Sequence, residues 1–192
     1  FLRFIGLRKC LVITDIDCCK SVVKKDKNGK EGTYIEKTKY DAADDTIVTS
    51  NASIKFFLNN TKKVKDILAM YPTILSWNIK NKRWETDERG YLRLTFQYGK
   101  KDTYQPRSFE DAFFSENEKF ITENTFSSLH PNSLEQFKSD KDAYELANNG
   151  VSGKSSLAIE ILLNSKKEGS CDFSNWVVPT YIKEGLLWLR KD

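Results

Sequence analysis

Short apolar segments alternate with amphipathic segments along this chain, and that alternation predicts an α/β fold. The first apolar run, residues 9–14, is short and rich in β-branched side chains, which favours a buried, parallel strand. Further strands are predicted at residues 46–49, 73–77 and 91–98. These strands are separated by segments whose apolar residues recur at helical spacing.

Capping residues and breakers delimit the predicted helices. One helix is expected to start near Asn51 and to end before Pro72. Another is introduced by Ser108 as N-cap, with Asp111 at the third helical position. The remaining helices are predicted at residues 133–147, after the cap residue Ser152, and after Pro179.

Three polar segments interrupt this pattern, and we predict that they are insertions into one domain spanning residues 1–192. They cover approximately residues 20–46, 78–90 and 116–150. The first contains an Asn28-Gly29 turn and is expected to form an exposed excursion with a small hairpin. The second is expected to join two strands as a hairpin, and the third is expected to be partly helical.

Composition argues against a disordered chain, a collagen-like chain and a membrane-spanning protein. Hydrophobic residues make up 39% and charged residues 30% of the 192 residues, which is ordinary globular usage. The net charge of +4 is too small to indicate nucleic-acid binding by itself. No apolar run reaches membrane-spanning length, so no membrane partner is expected. One histidine and four cysteines without a C-x-x-C spacing argue against a zinc site and favour a reducing, cytoplasmic location.

Asp15 and Asp17 follow the first predicted strand. If the strand continues through them, alternation places both carboxylates on the same side. The carboxyl ends of strands are where open α/β sheets bind ligands. Carboxylates this close repel each other unless a cation neutralises them, and oxygen ligands suit Mg²⁺ or Mn²⁺. The alternative is that one Asp caps a turn while the other is solvated, and the motif alone leaves both interpretations open.

Glu110, Asp111 and Lys154 lie near the starts of predicted helices. Glu110 either complements the helix dipole or binds a metal ion, and its spacing allows both. Lys154 lies where helix amides are disposed to bind anions, although a solvated lysine is the commoner arrangement. The segment around Lys154 resembles a P-loop but has Asn148 where the first glycine is required, so no ATP site is predicted.

Four motifs follow one another along the chain: Leu11-Val-Ile-Thr-Asp-Ile-Asp17, Thr49-Ser-Asn51, Arg107-Ser-Phe-Glu-Asp-Ala-Phe113 and Lys154-Ser-Ser-Leu-Ala158. In this order they resemble the carboxy-terminal Toprim nuclease region of the OLD (overcoming lysogenization defect) family, ATP-dependent endonucleases of bacteria and archaea. The segment 176–189 also resembles the closing helix of that family. The resemblance implies a Toprim-like, mostly parallel sheet flanked by helices, with a β-hairpin and a helical insertion.

The resemblance further implies metal-dependent cleavage of DNA. Asp15 and Asp17 would hold Mg²⁺ or Mn²⁺, while Glu110 and Asp111 would add acidic ligands, in a possible arrangement of two ions. Lys154 would neutralise charge that develops on the phosphate. The family also carries a Glu at the end of a first strand upstream of the D-x-D motif, and no acid precedes Asp15 here.

That departure implies that the first Toprim strand, with its Glu, belongs to a longer protein. Without that strand, the isolated segment is expected to have weak nuclease activity or none. The implied partners are the DNA backbone, contacted with little sequence readout, and the amino-terminal ATPase region of the same protein. A homodimer and a role in phage defence are also consistent with the family.

Two other interpretations remain open. Haloacid-dehalogenase-like phosphatases would use Asp15 as nucleophile and Asp17 as acid, and residues 46–51 resemble their second motif. Their first motif, however, usually has Thr or Val where Cys19 stands, and no acidic pair follows Lys154 as their last motif requires. The other interpretation is a degenerate, non-catalytic Toprim module that docks an ATPase or another partner.

Overall fold

The computed structural model describes residue 6 and residues 8–99, 104–168, 171–172 and 175–191. The strands are β1 (Cys10–Ile13), β2 (Cys18–Lys25), β3 (Glu31–Lys37), β4 (Val48–Thr49), β5 (Thr73–Asn78), β6 (Arg83–Thr86), β7 (Leu92–Thr95), β8 (Lys167–Glu168) and β9 (Cys171–Asp172). The helices are α1 (Ala52–Phe57), α2 (Val64–Ala69), α3 (Phe109–Glu116), α4 (Glu118–Glu123), α5 (Pro131–Asp140), α6 (Ala143–Glu145), α7 (Lys154–Leu163) and α8 (Thr180–Arg190). The predicted α/β class is confirmed.

The main sheet has the strand order β1-β7-β5-β6. β1 runs parallel to β7, as predicted for the first strand, although none of its residues is buried as expected; β5 is antiparallel to both β7 and β6. Within the described residues the sheet is therefore mixed, and the expectation of a mostly parallel sheet is wrong for this part of the chain. The polar segment after β5 supplies β6 after a turn at residues 79–82, and a connection this short allows only an antiparallel neighbour.

A second, antiparallel sheet has the order β3-β2-β4. The predicted turn at Asn28-Gly29 is confirmed, with Gly29 at φ +78°, and it joins β2 to β3 as a hairpin. The strand predicted at residues 46–49 is shorter than expected. It is β4, which pairs with Cys18 and Cys19 of β2 rather than with the main sheet.

The helix predicted to run from Asn51 towards Pro72 is two helices, α1 and α2. Asn51 is the N-cap as predicted, because its side chain accepts a hydrogen bond from the backbone N–H of Ile54. Helical geometry ends after α1 because Asn59 and Asn60 adopt left-handed conformations, at φ +51° and +66°.

The segment 116–150 is partly helical, as predicted, and contains α4, α5 and α6. The single helix predicted at residues 133–147 is interrupted because Lys141 takes φ +60° and ends α5, and α6 then continues into one π-helical turn, Leu146–Gly150. The N-cap of α7 is Gly153 rather than the predicted Ser152, whose hydroxyl donates to the backbone oxygen of Ser128. α3 and α8 begin after Ser108 and Pro179, as predicted.

Two hydrophobic cores stabilise the structure. One packs the main sheet against α1 and α2 and includes Ile16 and Phe96, both wholly buried. The other lies among α3–α7 and includes Phe113 and Leu157. Burying side chains of this size contributes about 1.5–3 kcal/mol each. The candidate site residues are neighbours in the sequence of core residues. Asp15 and Asp17 flank Ile16 of the first core, while Glu110 and Lys154 each lie three residues before a member of the second core. No helix in the described part of the chain is long and apolar enough to cross a lipid bilayer.

We expect Gly90→Ala to destabilise the fold by about 1–3 kcal/mol, the usual cost of overpacking. Gly90 is buried in the turn between β6 and β7, and a Cβ there would lie 2.4 Å from the backbone oxygen of Leu75. Backbone on a central strand cannot move aside as a side-chain end can. Chemical denaturation of Gly90→Ala and of Gly32→Ala provides the test, since a Cβ at the latter meets only the Tyr34 ring, at 3.2 Å. Equal stability of the two variants would contradict this packing.

Candidate functional site

The turn after β1 carries Asp15 and Asp17. β1 ends at Ile13, so neither acid belongs to the strand, and Asp17 takes a left-handed conformation at φ +50°. Strand alternation therefore does not set their directions, and that part of the sequence argument is wrong. The predicted location is confirmed, because both acids follow the carboxyl end of a strand of the main sheet.

Neighbouring strands and loops hold the backbone of this turn. The amide of Ile16 donates to Oε1 of Gln97 at 2.8 Å, and the amide of Asp17 donates to the backbone oxygen of Arg107 at 3.1 Å. From the other side, Nδ2 of Asn51 donates to the backbone oxygen of Asp15 at 2.9 Å. A turn whose amides and carbonyls are bonded in this way presents its carboxylates in a preorganised arrangement.

The carboxylate of Asp15 is half-buried and has charged neighbours. Burial is the main cause of the raised pKa of Asp15, and the negative charges of Asp17 and Glu110 raise it further. A hydrogen bond from Nε2 of Gln97 and the positive charge of Lys154 act in the opposite direction. The charges of Glu110 and Lys154, both distant in the sequence, therefore act on the carboxylate of Asp15 in the structure.

Glu110 and Lys154 form an ion pair between the starts of α3 and α7. Nζ of Lys154 lies 2.7 Å from Oε1 of Glu110, and the exposed fractions of the two side chains are 73% and 9%. Burial tends to raise the pKa of Glu110, but hydrogen bonds, above all that from Lys154, outweigh it and the pKa is lowered. The lysine thus partly neutralises a buried acid while its own ammonium stays accessible.

Asp111 is wholly buried and caps the start of α3. Its carboxylate accepts hydrogen bonds from the amides of Arg107 and Ser108, at 2.9 and 2.7 Å, and from the hydroxyl of Tyr104 at 3.0 Å. With Ser108 it forms the capping box that the sequence predicts. These contacts explain Asp111 without a metal ion, so we leave it out of the proposed site, although the resemblance implied it as a ligand.

We expect Asp111→Asn to lower the free energy of unfolding by about 2 kcal/mol, because an amide nitrogen would face buried N–H donors that now bond to oxygen. The matched control is Asp66→Asn, in the exposed first turn of α2. Urea denaturation of both variants provides the measurement. An Asp111→Asn protein as stable as the control would remove the structural role assigned here.

Sequence analysis assigned no role to two buried polar residues beside this turn, Gln97 and Arg107, although Arg107 begins one of the four motifs. Gln97 is wholly buried and links the backbone of the turn to the carboxylate of Asp15. Arg107 is 5% exposed, its guanidinium lies 5.4 Å from the Tyr144 ring, and its Nε has no hydrogen-bond partner among the described residues. A polar residue just beyond an apolar strand was the available signal for Gln97. The strand order that places β7 beside β1 was not visible in the sequence.

The donor chemistry of the site suits a hard divalent ion, because Asp15, Asp17 and Glu110 all offer carboxylate oxygens. Their mutual repulsion is what a divalent ion would relieve. Within the described ranges, however, no three His, Cys, Asp or Glu side chains converge into a complete metal-binding group. The three carboxylates therefore offer the type of ligand atom that a divalent ion prefers, but in this structure they do not form a complete set of ligands around one point.

Comparisons with protein-family models, with curated proteins and with solved structures find no match to this chain. Function is therefore inferred from the turn after β1 and from the starts of α3 and α7.

Proposed function

We propose that this chain is the nuclease region of a metal-dependent endonuclease that hydrolyses DNA phosphodiester bonds. The observation that supports the proposal most strongly is the 2.7 Å ion pair of Glu110 and Lys154, whose charges act on the half-buried carboxylate of Asp15. Asp15, Glu110 and Lys154 come from three of the four motifs that resemble the OLD family. Separate structural roles would not require residues from three distant motifs to influence one carboxylate.

The proposed roles follow from the contacts of each residue. Asp15 and Asp17 would hold Mg²⁺ or Mn²⁺, with Glu110 as a further acidic ligand. A bound ion would supply Lewis-acid stabilisation of charge on the phosphoryl oxygens. Gln97 orients the carboxylate of Asp15 through its amide N–H.

Lys154 is assigned to the phosphate rather than to the metal. A charged lysine has three N–H donors and no lone pair, so it cannot ligate a cation. Its bond to Glu110 uses one donor, and the side chain is 73% exposed, so a phosphate oxygen can reach the same ammonium. Lys154 also begins α7, where the helix amides favour an anion.

The wider assignment is also part of this proposal. The order of the motifs supports an OLD-family protein in which an ATPase region and an upstream acidic strand accompany this chain, with a homodimer as one possible assembly. The substrate would be held mainly by its backbone, since phosphate contacts carry no sequence information.

Cleavage of supercoiled plasmid tests the proposal directly. The 192-residue chain and a longer protein that adds an upstream acidic strand are each incubated with plasmid and Mg²⁺ or Mn²⁺. We expect nicking that EDTA abolishes, faster with the longer protein, and no hydrolysis of p-nitrophenyl phosphate. Hydrolysis of that monoester with intact plasmid would favour the phosphatase interpretation. Absence of divalent-metal binding by both proteins would favour a non-catalytic module.

A further inference from the structure

The net positive charge of the chain is concentrated in the β2–β3 hairpin. The segment 20–39, which comprises most of the hairpin and the two residues after β3, carries seven lysines and three acidic residues, a net charge of +4 that equals the net charge of the whole chain. The remaining residues carry 24 basic and 24 acidic side chains, so they are neutral overall. A charge excess this localised creates a positive field around one element, and an average over the sequence conceals it.

The hairpin is anchored at its base and exposed along its length. At the base, Cys18 and Cys19 are buried and pair with β4, and Nζ of Lys39 lies 2.6 Å from a carboxylate oxygen of Asp142. Beyond that base, no residue of the segment 20–37 is buried. At the rise of a β-strand, the six residues from Lys20 to Lys25 extend about 20 Å. The hairpin is therefore an arm attached to the rest of the structure at one end.

Most of the lysines on this arm are available to a ligand. Its acidic residues are partly occupied, because Glu36 pairs with Lys24 at 2.5 Å and Asp26 accepts the amides of Asn28 and Lys30 within the turn. Five lysines have no ion-pair partner among the described residues, namely Lys20, Lys25, Lys27, Lys30 and Lys37. Unpaired ammonium groups along a narrow ribbon match a polyanion with regularly spaced charges.

The arm also begins at the candidate site. β2 starts at Cys18, the residue directly after Asp17. A polyanion bound along the arm can therefore extend to the acidic turn. The major groove of B-DNA, about 12 Å wide, admits a two-stranded β-ribbon between two rows of phosphates. Duplex DNA therefore matches both the charge and the shape of the arm.

We propose that the β2–β3 hairpin is a DNA-binding arm that contacts phosphates of the duplex next to the bond to be cut. The inference rests on the proposed function, because it takes DNA as the substrate of the acidic turn. Contacts to phosphates release counterions, so binding through the arm is strongly salt-dependent and largely independent of sequence.

The test compares wild type with a triple variant, Lys25→Gln, Lys27→Gln and Lys30→Gln. Fluorescence anisotropy measures binding of the 192-residue chain to a labelled duplex in EDTA, over a series of salt concentrations. We expect the slope of log K against log salt to become shallower by about 2–3, because each lost phosphate contact removes approximately 0.9. Lysine-to-arginine changes at the same positions keep the charge and should preserve the slope.

The matched control removes Lys62, Lys63 and Lys80, which are equally exposed and lie outside the arm. An equal loss of slope in this control would overturn the proposal, as would wild-type binding by the triple variant. Failure of wild type to bind the duplex would also overturn it, and so would tighter, arm-dependent binding to phosphatidylserine vesicles. Plasmid cleavage by wild type and by Asp15→Asn, run on the same preparations, tests the proposed function separately.

Discussion

Asp15→Asn should reduce metal-dependent plasmid cleavage by about 10³-fold or more, in the longer protein that adds an upstream acidic strand. The substitution removes a carboxylate that would hold the ion, and a metal ion contributes several kcal/mol of transition-state stabilisation. Asn retains an oxygen that can accept the hydrogen bond from Gln97, so the turn should keep its shape. Quantitative nicking assays under single-turnover conditions measure the effect. Cleavage at the wild-type rate would exclude Asp15 from the chemistry.

The same variant has a stability signature that separates loss of function from loss of fold. Burial raises the pKa of Asp15, so folding favours its protonated form, and this contribution to stability is present at low pH and lost as pH rises through the folded-state pKa. At neutral pH the Asp15 carboxylate therefore opposes folding. We expect metal-free Asp15→Asn to be more stable than wild type at pH 7 and equally stable below about pH 4.

Divalent ions should also change the thermal stability of wild type and Asp15→Asn to different extents. An ion that binds only the folded state stabilises it by mass action, so Mg²⁺ or Mn²⁺ should raise the Tm of wild type. Asp15→Asn should lose most of that increase, whereas Asp66→Asn, which removes an exposed charge from α2, should keep it. Equal increases in all three proteins would contradict metal binding at Asp15.

Sequence patterns predicted the local elements well and their spatial arrangement poorly. β1, the turn at Asn28-Gly29, and the start of α3 were predicted because apolar runs, turn residues and capping residues act over a few positions. The break between α1 and α2 was not predicted, since the left-handed conformation of Asn59 is not encoded in helical spacing. Nor was the separation of β4 from the main sheet, because strand pairing is a long-range property.

At the candidate site, too, the sequence pointed to individual residues but not to their spatial arrangement. Sequence analysis singled out Asp15, Asp17, Glu110 and Lys154; in the structure Glu110 pairs with Lys154, and the charges of the other three residues act on Asp15. Sequence patterns predicted the capping box of Asp111 but could not exclude a metal-binding role for that residue, because both acids lie in the first turn of α3. Packing shows that the cap occupies the carboxylate of Asp111, whereas Glu110 pairs with Lys154.

Lys154→Ala should lower the cleavage rate by about 10²–10³-fold while leaving divalent-metal affinity nearly unchanged, the loss typical of removing one donor that stabilises developing charge. Lys154→Arg should restore part of the rate, since a planar fork does not reproduce a compact ammonium. Lys119→Ala is the matched control, because that lysine also pairs with a glutamate, 3.9 Å away and exposed. Calorimetry and single-turnover cleavage on the same preparations separate metal binding from rate.

The ion pair with Glu110 allows a sharper form of this test. Without Lys154, burial should raise the pKa of Glu110, so the stability that its ionised form contributes above the unfolded-state pKa is reduced. Lys154→Ala should therefore be less stable than wild type at pH 7, and this difference should be lost as the pH falls through the lowered folded-state pKa of Glu110. If Lys154 only neutralises Glu110, adding Lys154→Ala to Glu110→Gln should not slow cleavage further. If Lys154 acts on the phosphate, as proposed, the double variant should be slower than Glu110→Gln alone. A double variant that cleaves as fast as Glu110→Gln would assign the phosphate contact to another residue.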